Sequence, residues 1–118
     1  MDAHQLPVYN SARQLYIQLE RSTQKVPRNF RMHQLSQLQE LVFGIMENII
    51  WANKYQEEDK SSRHEFIMRS LRNLNFFEVR VRIYYDLHII GKEGYAAIMR
   101  LEADVERQLN GWAESTKC

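Results

Sequence analysis

Cysteine is almost missing from this chain: of 118 residues only Cys118 is one. No disulfide can form within the chain and no thiolate zinc cluster can be built, so a reducing compartment is expected. Glycine and proline are also scarce, at four and two. So little punctuation favours long helices over a fold made of many turns. Apolar runs of the roughly 18 residues needed to cross a bilayer do not occur. The opening Met1-Asp2-Ala3-His4-Gln5 has neither the basic nor the apolar part of a secretion signal, so a cytoplasmic protein is expected. What remains is ordinary globular composition, 44% hydrophobic and 26% charged. That suits a single domain spanning 1–118.

The net charge of +1 conceals an uneven distribution. Residues 1–33 carry five basic and two acidic side chains, and residues 63–82 repeat that ratio, while residues 34–60 and 83–118 are acidic.

Hydrophobic spacing then reads as four amphipathic helices. Val8, Ala12, Leu15 and Leu19 recur at steps of four and three, behind Pro7, which suits a first-turn position. Leu35, Leu38, Val42, Ile45 and Ile49 mark a second helix, from about residue 31 to 54. A capping-box pattern, Ser62-x-x-Glu65, predicts the start of a third. Its face is Phe66, Ile67, Leu71, Leu74, Phe77, Val81, Tyr84 and Leu87, and Gly91 is the expected left-handed stop. Within it, residues 77–83 alternate apolar and charged side chains as a strand would, but no second strand offers to pair, so helix is the expectation. Tyr95, Ile98, Leu101, Val105, Leu109 and Trp112 mark the fourth. An all-α, up-down-up-down four-helix bundle follows. Ile50, Trp51, Phe76, Val79, Ile83 and Ile90 fit no narrow stripe; they point either to burial between subunits or to the scattered apolar residues of an ordinary surface.

Chemistry-bearing patterns are few. No Glu is followed three residues later by His, the pairing with which helical bundles hold metals, and His4, His33, His64 and His88 are scattered. Gly44, Gly91, Gly94 and Gly111 form no phosphate-cradling loop. Glu57, Glu58 and Asp59 sit in a polar connection that suits solvation. No catalytic residue, metal site or cofactor is therefore expected. The basic segments are more informative. Arg21, Lys25, Arg28 and Arg31 follow one another at steps of four, three and three, and share a side if the backbone stays helical there. Arg69, Arg72 and Arg80 lie on the third helix. Guanidinium forks suit phosphate, so these seven are the candidate nucleic-acid-binding residues; solubilising the surface or pairing with acids of a neighbouring subunit is the alternative use. Arg82 is set aside, because Asp86 one turn on can pair with it.

The order Leu6-Pro7-Val8-Tyr9, Val26-Pro27-Arg28-Asn29-Phe30-Arg31, Arg82-Ile83-Tyr84-Tyr85-Asp86-Leu87 and Gln108-Leu109-Asn110-Gly111-Trp112 resembles one family of four-helix bundles. This family contains the accessory variability determinant (Avd) proteins of diversity-generating retroelements and proteins encoded in intervening sequences of ribosomal RNA genes. The resemblance runs from about residue 6 to residue 115, with Leu35-Ser36 where the family often has Leu-Gly, and Asn110-Gly111-Trp112 where it often has Gly-Gly-Trp. It implies a homopentameric assembly without an active site. In the Avd branch it also implies association with a reverse transcriptase and with RNA or DNA. Arg28 and Arg31 match the family's Pro-Arg-x-x-Arg turn. The alternative expectation is an oligomeric protein-interaction module that does not touch nucleic acid. No membrane partner is expected in either case.

Overall fold

The computed structural model describes residues 2–55 and 59–117, apart from the side chains of His4, Phe30, Arg31 and Met32. Glu57, Glu58 and Cys118, singled out above, lie outside the described residues. After a short 3-10 turn at Ala3–Gln5 come four helices. Helix α1 is Pro7–Ser22, with Pro7 at its first position. Helix α2 comprises Arg28–Phe30, a π-helical turn at Arg31–Leu35, and Ser36–Lys54. Helix α3 is Lys60–Asp86 and helix α4 is Lys92–Ser115. There is no strand among the described residues. Residues 77–83 are helical, because the three- and four-residue spacing on both sides of them wins over the local alternation.

Each helix packs against its neighbours in sequence, and α4 closes back on α1. The five-residue connections 23–27 and 87–91, and the equally few positions between Lys54 and Lys60, leave room only for antiparallel neighbours, which is the arrangement of an up-down-up-down bundle. The result is a rod of 48 × 20 × 20 Å. Its axis holds Leu15 and Leu19 of α1, Leu38, Val42, Ile45 and Ile49 of α2, Ile67, Leu74, Phe77 and Val81 of α3, and Ile98, Val105 and Leu109 of α4, all fully buried. Each such side chain contributes on the order of 1.5–3 kcal/mol by leaving water.

Polar groups fix how these helices lie together. The buried Ser70 hydroxyl donates to the Ile45 carbonyl at 2.9 Å, joining α3 to α2. Ser11 donates to Asp104 at 3.1 Å and accepts from Gln108 at 2.8 Å, joining α1 to α4. Hydrogen bonds from Arg107, Ser11 and Gln108 hold the Asp104 carboxyl below its usual range, although partial burial opposes them. The Tyr84 hydroxyl reaches from α3 to the Gln34 carbonyl, at 3.4 Å, within the π-helical turn of α2.

Both ends of α3 depart from expectation. Its cap is Asp59, whose side chain accepts from the Ser62 N–H at 3.2 Å, so Ser62 lies inside the helix instead of opening it. A carboxylate in this position satisfies a free N–H and also faces the positive end of the helix. At the other end the left-handed residue is His88, with φ 63°, and Gly91 has φ −74° and starts α4. The Ile89 N–H bonds the Tyr84 carbonyl at 2.9 Å and the His88 N–H bonds that of Tyr85 at 3.0 Å, the paired bonds of a Schellman stop. Chain reversal here needs Ile90 buried, and that need fixes the turn three residues earlier than the glycine suggests. Because a Cβ is disfavoured at positive φ, His88→Gly is expected to raise stability by about 0.5–1 kcal/mol, measurable as a higher urea midpoint.

Candidate nucleic-acid and assembly interface

Arg21 lies in the last turn of α1, and after Ser22 the backbone leaves the helix. The Thr23 hydroxyl donates to the Leu19 carbonyl at 2.6 Å, Val26 turns inward, and Pro27 precedes the restart at Arg28. Continuous helical spacing through Arg21, Lys25, Arg28 and Arg31 is therefore broken. Arg21 and Lys25 nevertheless come together on the wall of a groove of about 1000 Å³ between the 23–27 and 87–91 connections. Arg28 is exposed but does not line that groove. Arg31 has its backbone in the π-helical turn, and its side chain lies outside those described.

The groove supplies two groups that are not among the seven candidate residues, His88 and Lys92. Lys92 is the first residue of α4, whose cap, Gly91, provides no side-chain acceptor. Three cations and an uncapped helix start thus face one depression, opposed within it by Glu93. The signal for Lys92 is its place directly after Gly91, but only the folded chain brings it to Arg21, some 70 residues away.

The α3 arginines are elsewhere and are differently engaged. Arg69 pairs with Glu65 at 2.7 Å and lies over the Phe66 ring at 4.8 Å. Arg80 donates to the Gln37 amide oxygen of α2. Arg72 is exposed. Arg82 pairs with Asp86 at 3.4 Å, as its spacing predicts. Of the candidate cations whose side chains are described, Arg21 and Lys25 share the end groove, Arg28 lies outside it, and Arg69, Arg72 and Arg80 are spread along α3.

Arg72 belongs instead to a stripe of another character. Met68, Phe76, Val79, Ile83 and Leu87 repeat along α3 at helical steps and are all exposed, Phe76 by 63%, Val79 by 56%, Ile83 by 48% and Leu87 by 61%. Leu87, expected in the core, is on this outer face. Ile90, expected in the surplus, is in the core. Phe76 and Phe77 show why: adjacent helical residues point about 100° apart, so one fills the bundle axis and the other faces solvent. From Phe76 to Leu87 the strip has no charged residue at these steps, and soluble monomers seldom expose large contiguous apolar patches.

Beside this stripe, where α3 meets α4, lie Glu78, Glu102 and Glu106. Burial first, then the negative charges of Glu78 and Glu106 and a hydrogen bond with Glu106, push the Glu102 carboxyl up to about 7. The i,i+4 spacing of Glu102 and Glu106 is legible in the sequence, but the presence of Glu78 across the helix interface is not. His64 bonds Thr116 through Nδ1 at 3.0 Å, and His33 is exposed with its carbonyl accepting from Ser36, so neither joins this cluster. Comparison of the sequence with protein-family models and with curated proteins yields no match.

Proposed function

We propose that this chain is a non-catalytic accessory protein of the Avd type, acting as an oligomer that associates with a reverse transcriptase and with the phosphate backbone of RNA or DNA. The observation that carries this reading is the exposed apolar face of α3. It extends from Met68 to Leu87, about 29 Å at 1.5 Å per residue, Ile83 and Leu87 in it belong to one of the four segments that carry the family resemblance, and a homopentamer would bury it between subunits. The face supports assembly first. Nucleic acid enters through the end groove, where Arg21, Lys25 and Lys92 present charge without any base-reading geometry, so binding by phosphate contact alone is the form it takes.

Salt separates this reading from its rival. If three cations neutralise phosphates of a single strand, affinity for a labelled single-stranded RNA falls roughly twentyfold between 50 and 200 mM salt. Arg21→Ala combined with Lys25→Ala removes most of that dependence, as read by fluorescence anisotropy. A neighbouring reverse-transcriptase gene with template and variable repeats supports the polymerase partnership. The second reading, an oligomeric interaction module without nucleic acid, is favoured by the engagement of Arg69 and Arg80 within the chain. No RNA binding at 50 mM salt by an intact oligomer selects it.

A further inference from the structure

Three carboxylates converge where α3 and α4 pack: Glu78 from one helix, and Glu102 and Glu106 from successive turns of the other. One oxygen of each lies within 4.8 Å of the other two. Glu102 is the unusual member. It takes a core position between Ile98 and Val105, is only 2% exposed, and its Oε1 has no hydrogen-bond partner among the described residues. Among the described residues, no Lys or Arg forms an ion pair with any of the three. Removing a carboxylate oxygen from water without a partner is strongly unfavourable. Exposed acids tolerate one another through solvent, but a buried one needs a compensating group.

We infer that Glu78, Glu102 and Glu106 form a binding site for a hard divalent cation. An all-carboxylate donor set selects oxygen-preferring ions such as Ca²⁺ and Mg²⁺ over the softer metals that thiolate and imidazole take. Ca²⁺ is the expected occupant, because it accepts irregular sets of carboxylates and waters, whereas Mg²⁺ demands near-octahedral geometry and dehydrates reluctantly. Glu78 and Glu106 are half-buried, so water can complete the coordination sphere from their side. A proton shared by Glu102 and Glu106 is the competing occupant. It neutralises one charge of three, whereas a divalent cation neutralises two and supplies the buried Glu102 carboxylate with a counter-charge. The bound ion would join α3 to α4 beside the exposed face of α3.

The test is calorimetric titration of the full-length chain, stripped with a chelator, with CaCl₂ and separately with MgCl₂ near neutral pH. The expected result is one Ca²⁺ per chain with Kd below about 1 mM and weaker binding of Mg²⁺. Glu102→Gln and Glu106→Gln each weaken binding by about tenfold or more, while Glu93→Gln, in the exposed first turn of α4, leaves it unchanged. Circular dichroism of each variant establishes that the helices are intact. Absence of saturable binding of either ion up to about 10 mM overturns the site, as does binding that persists unchanged in both the Glu102 and Glu106 variants.

Discussion

Phe77→Ala is expected to destabilise the protein by about 3–5 kcal/mol, while Phe76→Ala, one residue earlier, leaves the fold of the single chain within about 0.5 kcal/mol of its original stability. Phe77 is fully buried on the bundle axis, and its removal leaves a ring-sized cavity that the surrounding helices cannot close. Phe76 faces outward, so its loss is felt only where the α3 face is covered. The two substitutions therefore separate folding from assembly. Phe77→Ala lowers the urea midpoint of the monomer, whereas Phe76→Ala leaves that midpoint and weakens the oligomer. If the two variants lose equal stability at concentrations where the chain is monomeric, the assignment of faces on α3 is wrong.

The second large effect is expected from pH. The Glu102 carboxyl has an ordinary value of 4.5 and is pushed up to about 7 in the folded chain, by burial first and then by Glu78 and Glu106. Between these values the unfolded chain has lost this proton while the folded chain retains it. Rising pH therefore removes stability, progressively from about pH 4.5 to about pH 7, and little more is lost above that. The loss is on the order of 2–3 kcal/mol. Glu102→Gln should abolish it, because the amide remains neutral and can still donate to Glu106. In buffer containing a chelator the variant is then more stable than the parent by about 2–3 kcal/mol near pH 8, and the two converge near pH 4.5. The check is urea unfolding at both pH values and equal protein concentration. A parent whose stability increases from pH 4.5 to 8 relative to the variant contradicts a buried, charge-crowded Glu102.

The helices were legible because burial imposes a period. Val8, Ala12, Leu15 and Leu19, or Leu38, Val42, Ile45 and Ile49, repeat as only one face of a helix can, and each of these residues is buried. Caps were less legible. Ser62-x-x-Glu65 is a good capping pattern, but Asp59 lies upstream and captures the Ser62 N–H first. Gly91 is the natural left-handed residue, yet the burial of Ile90 places the turn at His88 and leaves Gly91 to begin α4. At the start of α3 one local preference yields to another a turn upstream, and at its end a local preference yields to a tertiary contact that has no sequence signature.

The candidate sites divide along the same line. The excess of Phe76, Val79 and Ile83 over a single stripe is a property of one helix, so it was readable. The end groove and the carboxylate cluster are properties of two connections or two helices. Lys92 joins Arg21 and Lys25, and Glu78 joins Glu102 and Glu106, only because the chain reverses at 87–91. The helical period that would align Arg21, Lys25 and Arg28 is interrupted for a related reason, at Thr23 and Pro27.

Assembly through the outer face of α3 is the claim on which the proposed function depends, and light scattering coupled to size exclusion tests it most directly. At micromolar concentration the chain is predicted to elute as an oligomer, near 71 kDa for five chains of 14.2 kDa, and the double substitution Val79→Asp with Ile83→Asp is predicted to return it to a helical monomer. A parent protein that scatters as a 14.2 kDa monomer, or an oligomer that survives both aspartates, contradicts the account.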